Sequence, residues 1–213
     1  MARIIAVLPM KSDSKGIQMK LYKNFNGKPL WQWVFNEVTR CTMIDEVIVS
    51  SSDAWMKKYI VCDSRLSFLN RPYELNGDVE LLEVMKHAID RESLFDADDD
   101  IIIQVQLNKP LTKTSDLMEL IKYFKDNNLD SLTTIQEIKT AVNGKYKSHS
   151  RENTNFKSCA IAKLWKRKVL ETAKSGTWGY GKKHKDYVIG KHHIEIDDLE
   201  DWKIAECLHR GGF

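Results

Sequence analysis

Short runs of apolar, mostly β-branched residues recur along this chain at 4–8, 47–50, 101–106 and 132–135. Each run is close to continuously apolar instead of alternating, which is the pattern of a strand buried on both faces. Between them lie longer stretches of helical period, at 30–40, 53–59, 79–90 and 115–127. Strands of this kind separated by helices form βαβ units, because parallel neighbours need a long crossover. The chain is therefore expected to be α/β, three-layered, with a mostly parallel central sheet and helices on both faces. Pro29 stands at the first turn of one helix, where its missing N–H costs nothing, and Ser115 suits the N-cap of another.

With 213 residues, 42% hydrophobic and 30% charged, the chain has the apolar material for one large domain. Residues 1–213 read as a single domain with a short excursion at about 139–186, where the periodic pattern gives way to Gly, Lys, Ser, Asn and His. Within and after it, we place a strand at 158–162, a helix at 163–174, strands at 187–189 and 195–196, and a helix at 198–209. Thirty-three basic against 30 acidic residues leave a net charge of +3, too small to argue for nucleic acid. Cys41, Cys62, Cys159 and Cys207 form no C-x-x-C pair and read as reduced, structural thiols. No apolar stretch is long enough to span a membrane, and the N-terminal run lacks a signal-peptide layout. The expectation is a cytoplasmic protein with no membrane partner.

The segment after the first strand runs Pro9-Met-Lys-Ser-Asp-Ser-Lys-Gly-Ile-Gln-Met-Lys20. In an open α/β sheet, the loop beyond a strand's carboxyl end lies where ligands bind. Ser12, Ser14 and Gly16 let backbone amides approach a ligand, while Lys11, Lys15 and Lys20 supply positive charge; a triphosphate needs both. The G-x-x-x-x-G-K-[ST] pattern is absent, so this is not a Walker loop. By composition alone the segment reads equally well as a solvated, Lys-rich surface loop. Three other features have plainer readings. Trp31, Trp33 and Phe35 are core residues before they are a base-stacking platform. The basic runs 163–168 and 182–185 read as solvated faces, and His192 and His193 as surface or supporting residues beside the acidic segment.

Six motifs in order carry a resemblance. They are Ser14-Lys15-Gly16 followed by Lys20, Gly27-Lys28-Pro29-Leu30, Asp45-Glu-Val-Ile-Val-Ser-Ser-Ser-Asp53, Arg71-Pro-Tyr-Glu-Leu75, Gln104-Val-Gln-Leu-Asn-Lys-Pro-Leu111, and Ile194-Glu-Ile-Asp-Asp198 with Asp201. Together they resemble the acylneuraminate cytidylyltransferase (CMP-sialic acid synthetase) family over most of the chain. That resemblance implies a Rossmann-like nucleotidyltransferase fold that joins CMP from CTP to an acidic acceptor and releases pyrophosphate. It implies nucleotide contacts from Pro9, Ser12, Ser14, Gly16, Arg71 and Gln106, and charge stabilisation on the phosphates by Lys15 with Lys11 and Lys20. The excursion would then contribute to acceptor binding or to a homodimer, although it is short here.

The resemblance also implies that Glu195 and Asp197 hold Mg2+. Residues two apart on an extended strand share a face, so both carboxylates would converge on one hard cation. The plainer reading is a helix N-terminus near Asp198, where acidic residues suit the dipole; it accounts for Asp198 and Glu200 but poorly for Glu195. Several positions depart from the family pattern. Lys11 stands for an arginine, Ser12 and Asp13 for a glycine pair, Lys109 for a serine, Thr112 for an arginine, and Glu195 for the first aspartate of the metal pair. These departures leave room for a phosphonate or other small acidic acceptor, or for a nucleotide-binding relative without catalysis. A nucleotidyltransferase or glycosyltransferase of similar fold using another donor is the remaining alternative.

Overall fold

In the computed structural model of the chain, residues 2–14, 16–60, 64–77, 79–90, 98–137, 156–157, 161–177, 179–190 and 192–212 are described. The strands are β1 (Ile4–Met10), β2 (Asn24–Phe25), β3 (Lys28–Pro29), β4 (Glu46–Ser51), β5 (Leu66–Asn70), β6 (Ile101–Val105), β7 (Ser131–Glu137), β8 (Phe156–Lys157), β9 (Ala162–Lys166) and β10 (His184–Ile189). The α-helices are α1 (Leu30–Arg40), α2 (Lys57–Ile60), α3 (Leu81–Asp90), α4 (Thr114–Asp126), α5 (Arg167–Thr172) and α6 (Leu199–Arg210). Seven strands form the central sheet in the order β10-β7-β9-β6-β1-β4-β5, with β8 beside β7, and β2 and β3 make a separate hairpin. Strand β1 runs parallel to β4 and β6, β4 to β5, and β7 to β10. Within the central sheet, only β9, between β6 and β7, and the short β8 run antiparallel to their neighbours among the described strands; β2 and β3 also pair antiparallel.

The continuous apolar character of β1 has a direct structural counterpart. Ile4, Ala6 and Leu8 join one core with Leu30, Val34 and Val38 of α1 and Leu117 and Ile121 of α4. Ile5 and Val7 face the other way, into a second core with Leu82 and Met85 of α3 and Leu170 of α5. Successive side chains on a strand point to opposite faces, so a strand covered by helices on both sides needs apolar residues at every position. This is the expected three-layer arrangement.

Local signals set the helix ends. Pro29 is the N-cap of α1, and the helix stops where Cys41 turns extended. At α4 the N-cap is Lys113, not Ser115, and Asp116 takes the Lys113 N–H at 2.7 Å. Asp198 caps α6, accepting from the N–H groups of Glu200 at 2.9 Å and Asp201 at 3.0 Å.

The structure corrects four sequence readings. The stretch 53–59 is a 3-10 turn, Ala54–Met56, followed by the single-turn α2. Strand β5 was not expected. The strand expected at 158–162 and the helix at 163–174 become β9 and the shorter α5, so Lys163 and Trp165 belong to the sheet. Residues 195–196 are not a strand. Of the excursion, 139–155 lies outside the described residues, as does 158–160, whereas β9, α5 and β10 are integral to the domain. Among the described residues no helix is long and apolar enough to cross a membrane.

Candidate active site

The order of connection reverses beside β1: the chain passes from β1 to β4 and β5 on one side, then returns to β6 on the other. A doubly wound sheet leaves a crevice outside the carboxyl ends of its strands at such a point. Here it is a cleft of about 580 Å³. Its walls are the loop after β1 (Pro9, Lys11, Ser14, Gly16, Lys20), the end of β6 (Gln104, Gln106, Leu107, Asn108), Arg71 beyond β5, and Asp197. Leu81 and Val84 of α3 close the apolar side. Of the expected site residues, Pro9, Lys11, Ser14, Gly16, Lys20, Arg71, Gln106 and Asp197 line this one cleft. Lys15 lies outside the described residues.

The basic side of the cleft is tied down by short-range contacts. Arg71 is 5% exposed, and its guanidinium donates to the Met10 carbonyl while its own N–H donates to Ser51 O at 2.9 Å. Burial pulls the Arg71 pKa down, opposed by the charges of Asp13 and Asp53, and its Nε has no hydrogen-bond partner among the described residues. A buried cation in this state favours an incoming anion. Lys11 is held more loosely, reaching the Gly77 carbonyl at 3.2 Å and Asp13 at 3.9 Å. Ser12 is not among the residues that line the cleft and donates to Asp53 at 3.1 Å; Tyr22 donates to the same carboxylate at 2.5 Å. Burial, with the Asp53 bond and charge adding, pushes the Tyr22 phenol pKa well up, so it stays a donor. Ser12 therefore anchors the loop to the segment just beyond β4 through Asp53.

The acidic segment closes the cleft from the far end of the chain. Lys20, 9% exposed, donates to the Ile196 carbonyl and lies 3.2 Å from Asp197 Oδ1. Ile196 N–H donates to Asn108 O at 3.0 Å, which fastens the same segment to the loop after β6. A Cβ on Gly16 would stand 2.0 Å from the Asp197 carbonyl oxygen. The glycine is needed there because the acidic segment presses on it, a closer constraint than the ligand approach read from sequence. Glu195 and Asp197 do not share the face of a strand. Glu195 pairs with the fully buried Lys109 at 3.4 Å and takes a long contact of 3.5 Å from Asn108 Nδ2. Asp197 keeps a side chain 60% exposed at the cleft.

Sequence reasoning passed over three residues here. Gln104 is 2% exposed, lines the cleft, and its Oε1 has no hydrogen-bond partner among the described residues. Lys109 is fully buried, and Lys163, read from sequence as part of a solvated face, is only 7% exposed. His193 is likewise buried at 2%, 3.7 Å from Asp116, and burial drives its pKa down to about 3. Trp31 and Phe35 do pack in the core, as expected. Among the described residues no group of three or more His, Cys, Asp or Glu side chains is placed to hold a metal.

A doubly wound sheet with basic and amide groups gathered at its switch point is the architecture of a nucleotidyltransferase, and comparison with known proteins agrees. The family model described as Cytidylyltransferase matches residues 5–188, and the chain belongs to that family. Among curated relatives, it is 27% identical over 123 residues to the 3-deoxy-manno-octulosonate cytidylyltransferase 2 of Hydrogenovibrio crunogenus, covering 58% of this chain and 47% of that one. It is 24% identical over 136 residues to the N-acylneuraminate cytidylyltransferase of Streptococcus agalactiae serotype V, covering 63% and 32%. The chain thus spans about half the length of the first relative and about a third of the second. Among solved structures, a CMP:2-keto-3-deoxy-manno-octonic acid synthetase complexed with CTP superposes with a TM-score of 0.71 at 14% identity, covering 100% of both chains. A 4-diphosphocytidyl-2C-methyl-D-erythritol synthase gives 0.72 at 14% identity, covering 98% of this chain and 99% of that one. These likenesses establish the fold.

Proposed function

We propose that this chain transfers CMP from CTP to an acidic sugar and releases pyrophosphate. The observation that carries the reading is the cleft at the ends of β1 and β6, with Lys11, Lys20 and Arg71 on one wall and the amides of Gln104, Gln106 and Asn108 on the other. The names of the relatives supply the acceptor class, since both 3-deoxy-manno-octulosonate and N-acylneuraminate are sugar acids. A 3-deoxy-octulosonate is the first acceptor to assay and N-acylneuraminate the second.

In this reading an acceptor hydroxyl oxygen attacks the α-phosphorus of CTP. The bond from that phosphorus to the bridging oxygen breaks, pyrophosphate leaves with the electron pair, and the hydroxyl proton passes to solvent. The protein needs little covalent participation; it holds the reactants in line and balances charge on the phosphates. Lys11 and Arg71 meet the triphosphate. Lys20 holds the Asp197 segment against the loop. Magnesium is bound in nucleotide sites through one or two carboxylates with phosphates and water, and the exposed Asp197 fits that sparse donor set. Glu195, 20% exposed beside the fully buried Lys109, is not among the residues that line the cleft. When bound, the ion would neutralise charge on the phosphate oxygens.

The reading is tested by thermal shift of the purified protein with CTP, UTP, GTP and ATP, each with and without magnesium, followed by pyrophosphate release with the two sugar acids. A ligand that binds only the folded state raises its melting temperature by mass action. A shift selective for CTP, with pyrophosphate released on adding a sugar acid, is the expected result. A shift with another nucleotide alone overturns the donor assignment, and no shift with any of them favours a relative without catalysis.

A further inference from the structure

Strand β6 reads Ile-Ile-Ile-Gln-Val, buried throughout, and Gln104 is its one polar residue. In the sheet Gln104 stands directly beside Val7 of β1, which packs in the core under α3 with Leu82, Met85 and Ile102. Residues two apart on a strand share a face, so Gln104 projects on the same side as Ile102. An amide therefore occupies a place where an apolar residue would extend that core. The same side chain lines the cleft, together with Leu81 and Val84 of α3, so the cleft begins where this core ends.

Gln104 is 2% exposed, and its Oε1 has no hydrogen-bond partner among the described residues. A buried acceptor without a partner costs stability, and its retention in a cleft wall points to a donor that arrives with a ligand. The lining of the cleft narrows what that donor belongs to. A phosphate or a carboxylate would bring only further acceptors to Oε1. A sugar would set several hydroxyls against Pro9, Val79, Leu81 and Val84, whose side chains pair with none of them. A nucleobase has apolar faces and carries its donors on its edge, which suits apolar walls beside a fixed polar group. Between the pyrimidines, cytosine presents a 4-amino donor where uracil presents a carbonyl oxygen.

We propose that Gln104 reads the base: its Oε1 accepts a hydrogen bond from the 4-amino group of a cytosine seated against Leu81 and Val84. The assignment rests on the cytidylyltransferase reading and adds to it the residue that selects the nucleotide. It divides the cleft, with the ring between β6 and α3 and the phosphates towards Lys11 on the loop after β1. It also accounts for an amide in a strand that is otherwise wholly apolar.

The test removes each partner of this hydrogen bond in turn. CTP and its analogue with hydrogen in place of the 4-amino group are titrated calorimetrically, with magnesium, into the wild type and Gln104→Met. The wild type is expected to bind CTP about tenfold or more tighter than the analogue, because a site built around a donor rejects a ligand lacking it. In Gln104→Met the affinity for CTP falls about tenfold, that for the analogue stays within about threefold, and the preference disappears. A merely structural role would weaken both ligands alike, and that result overturns the proposal. So does a Gln104→Met protein that binds CTP as tightly as the wild type but shows a raised KM for the sugar acid, which would place the amide at the acceptor. Should the variant not fold, a wild type indifferent between CTP and the analogue overturns it equally. Failure of the wild type to bind CTP at all is a different result, and it removes the underlying reading along with this one.

Discussion

Gly16→Ala is the smallest change that reaches the centre of this site. The added Cβ would lie 2.0 Å from Asp197 O and 3.2 Å from its carbonyl carbon, against a comfortable separation of about 3.5 Å. Loop and acidic segment must therefore part by roughly 1.5 Å. The obstacle is main chain, so no side-chain rotation relieves it. The segment is pinned by Ile196 N–H on Asn108 O at 3.0 Å, by Lys20 on the Ile196 carbonyl, and by Asp197 N–H on Asp201 Oδ2 at 3.0 Å. Overpacking of this kind costs about 1–3 kcal/mol, at roughly 2–4 °C of melting temperature per kcal/mol for a chain of this size. A displacement of about 1 Å between groups that must act together costs on the order of 100-fold in rate. Gly16→Ala should thus melt a few degrees lower and lose about 100-fold in pyrophosphate release. Gly27→Ala is the control: its φ of +94° makes alanine strained, but open space surrounds it, so it should lose stability and keep turnover. A Gly16→Ala protein with kcat/KM within about threefold of wild type would show that the contact between loop and acidic segment does not matter for the reaction.

Two further outcomes follow from the same geometry. Asp197→Ala should lower turnover about 100-fold or more without unfolding the protein, since the side chain is 60% exposed; circular dichroism with a pyrophosphate assay checks both halves, and near-normal activity would remove the carboxylate from the mechanism. His193 stays neutral in the folded state down to about pH 3, because burial, with His192, Lys109 and Lys113 adding, disfavours its charge. Between an unfolded value of about 6.5 and that pH, the unfolded chain binds a proton that the folded chain refuses. This contribution to stability is complete above about pH 6.5 and is lost as pH falls, by at most about 1.4 kcal/mol per pH unit. Urea midpoints between pH 7 and 4 should fall less steeply for His193→Gln than for wild type, and equal slopes would refute the assignment.

The layers of the fold were legible because continuous apolar runs and helical periods have one economical arrangement, a parallel sheet covered on both faces. What escaped were elements whose local pattern is overridden by pairing. Strand β5 reads Leu-Ser-Phe-Leu-Asn, lies at the sheet edge and is mostly half-buried, so neither a continuous nor an alternating signal survives. The stretch from Lys163 looks helical by its Lys, Leu and Arg content, yet its first residues are held in the sheet by β6 on one side and β7 on the other. Once that segment is a strand, its lysine cannot reach the surface.

The site divides in the same way. The loop after β1 was legible because small and basic residues directly beyond a strand have a defined place in such a fold. The meaning of the acidic segment was not, because it depends on partners far away in sequence. Lys109 and Glu195 each look like an isolated departure from the family pattern. In space they are one ion pair at 3.4 Å, at the outer range of such a contact, and an aspartate at 195 would fall short by roughly one carbon–carbon bond, ~1.5 Å. The longer acid and the buried base account for each other. A lysine with no exposed surface is stabilised by an anion beside it, here Glu195. Of the two carboxylates, Asp197 is the one that lines the cleft.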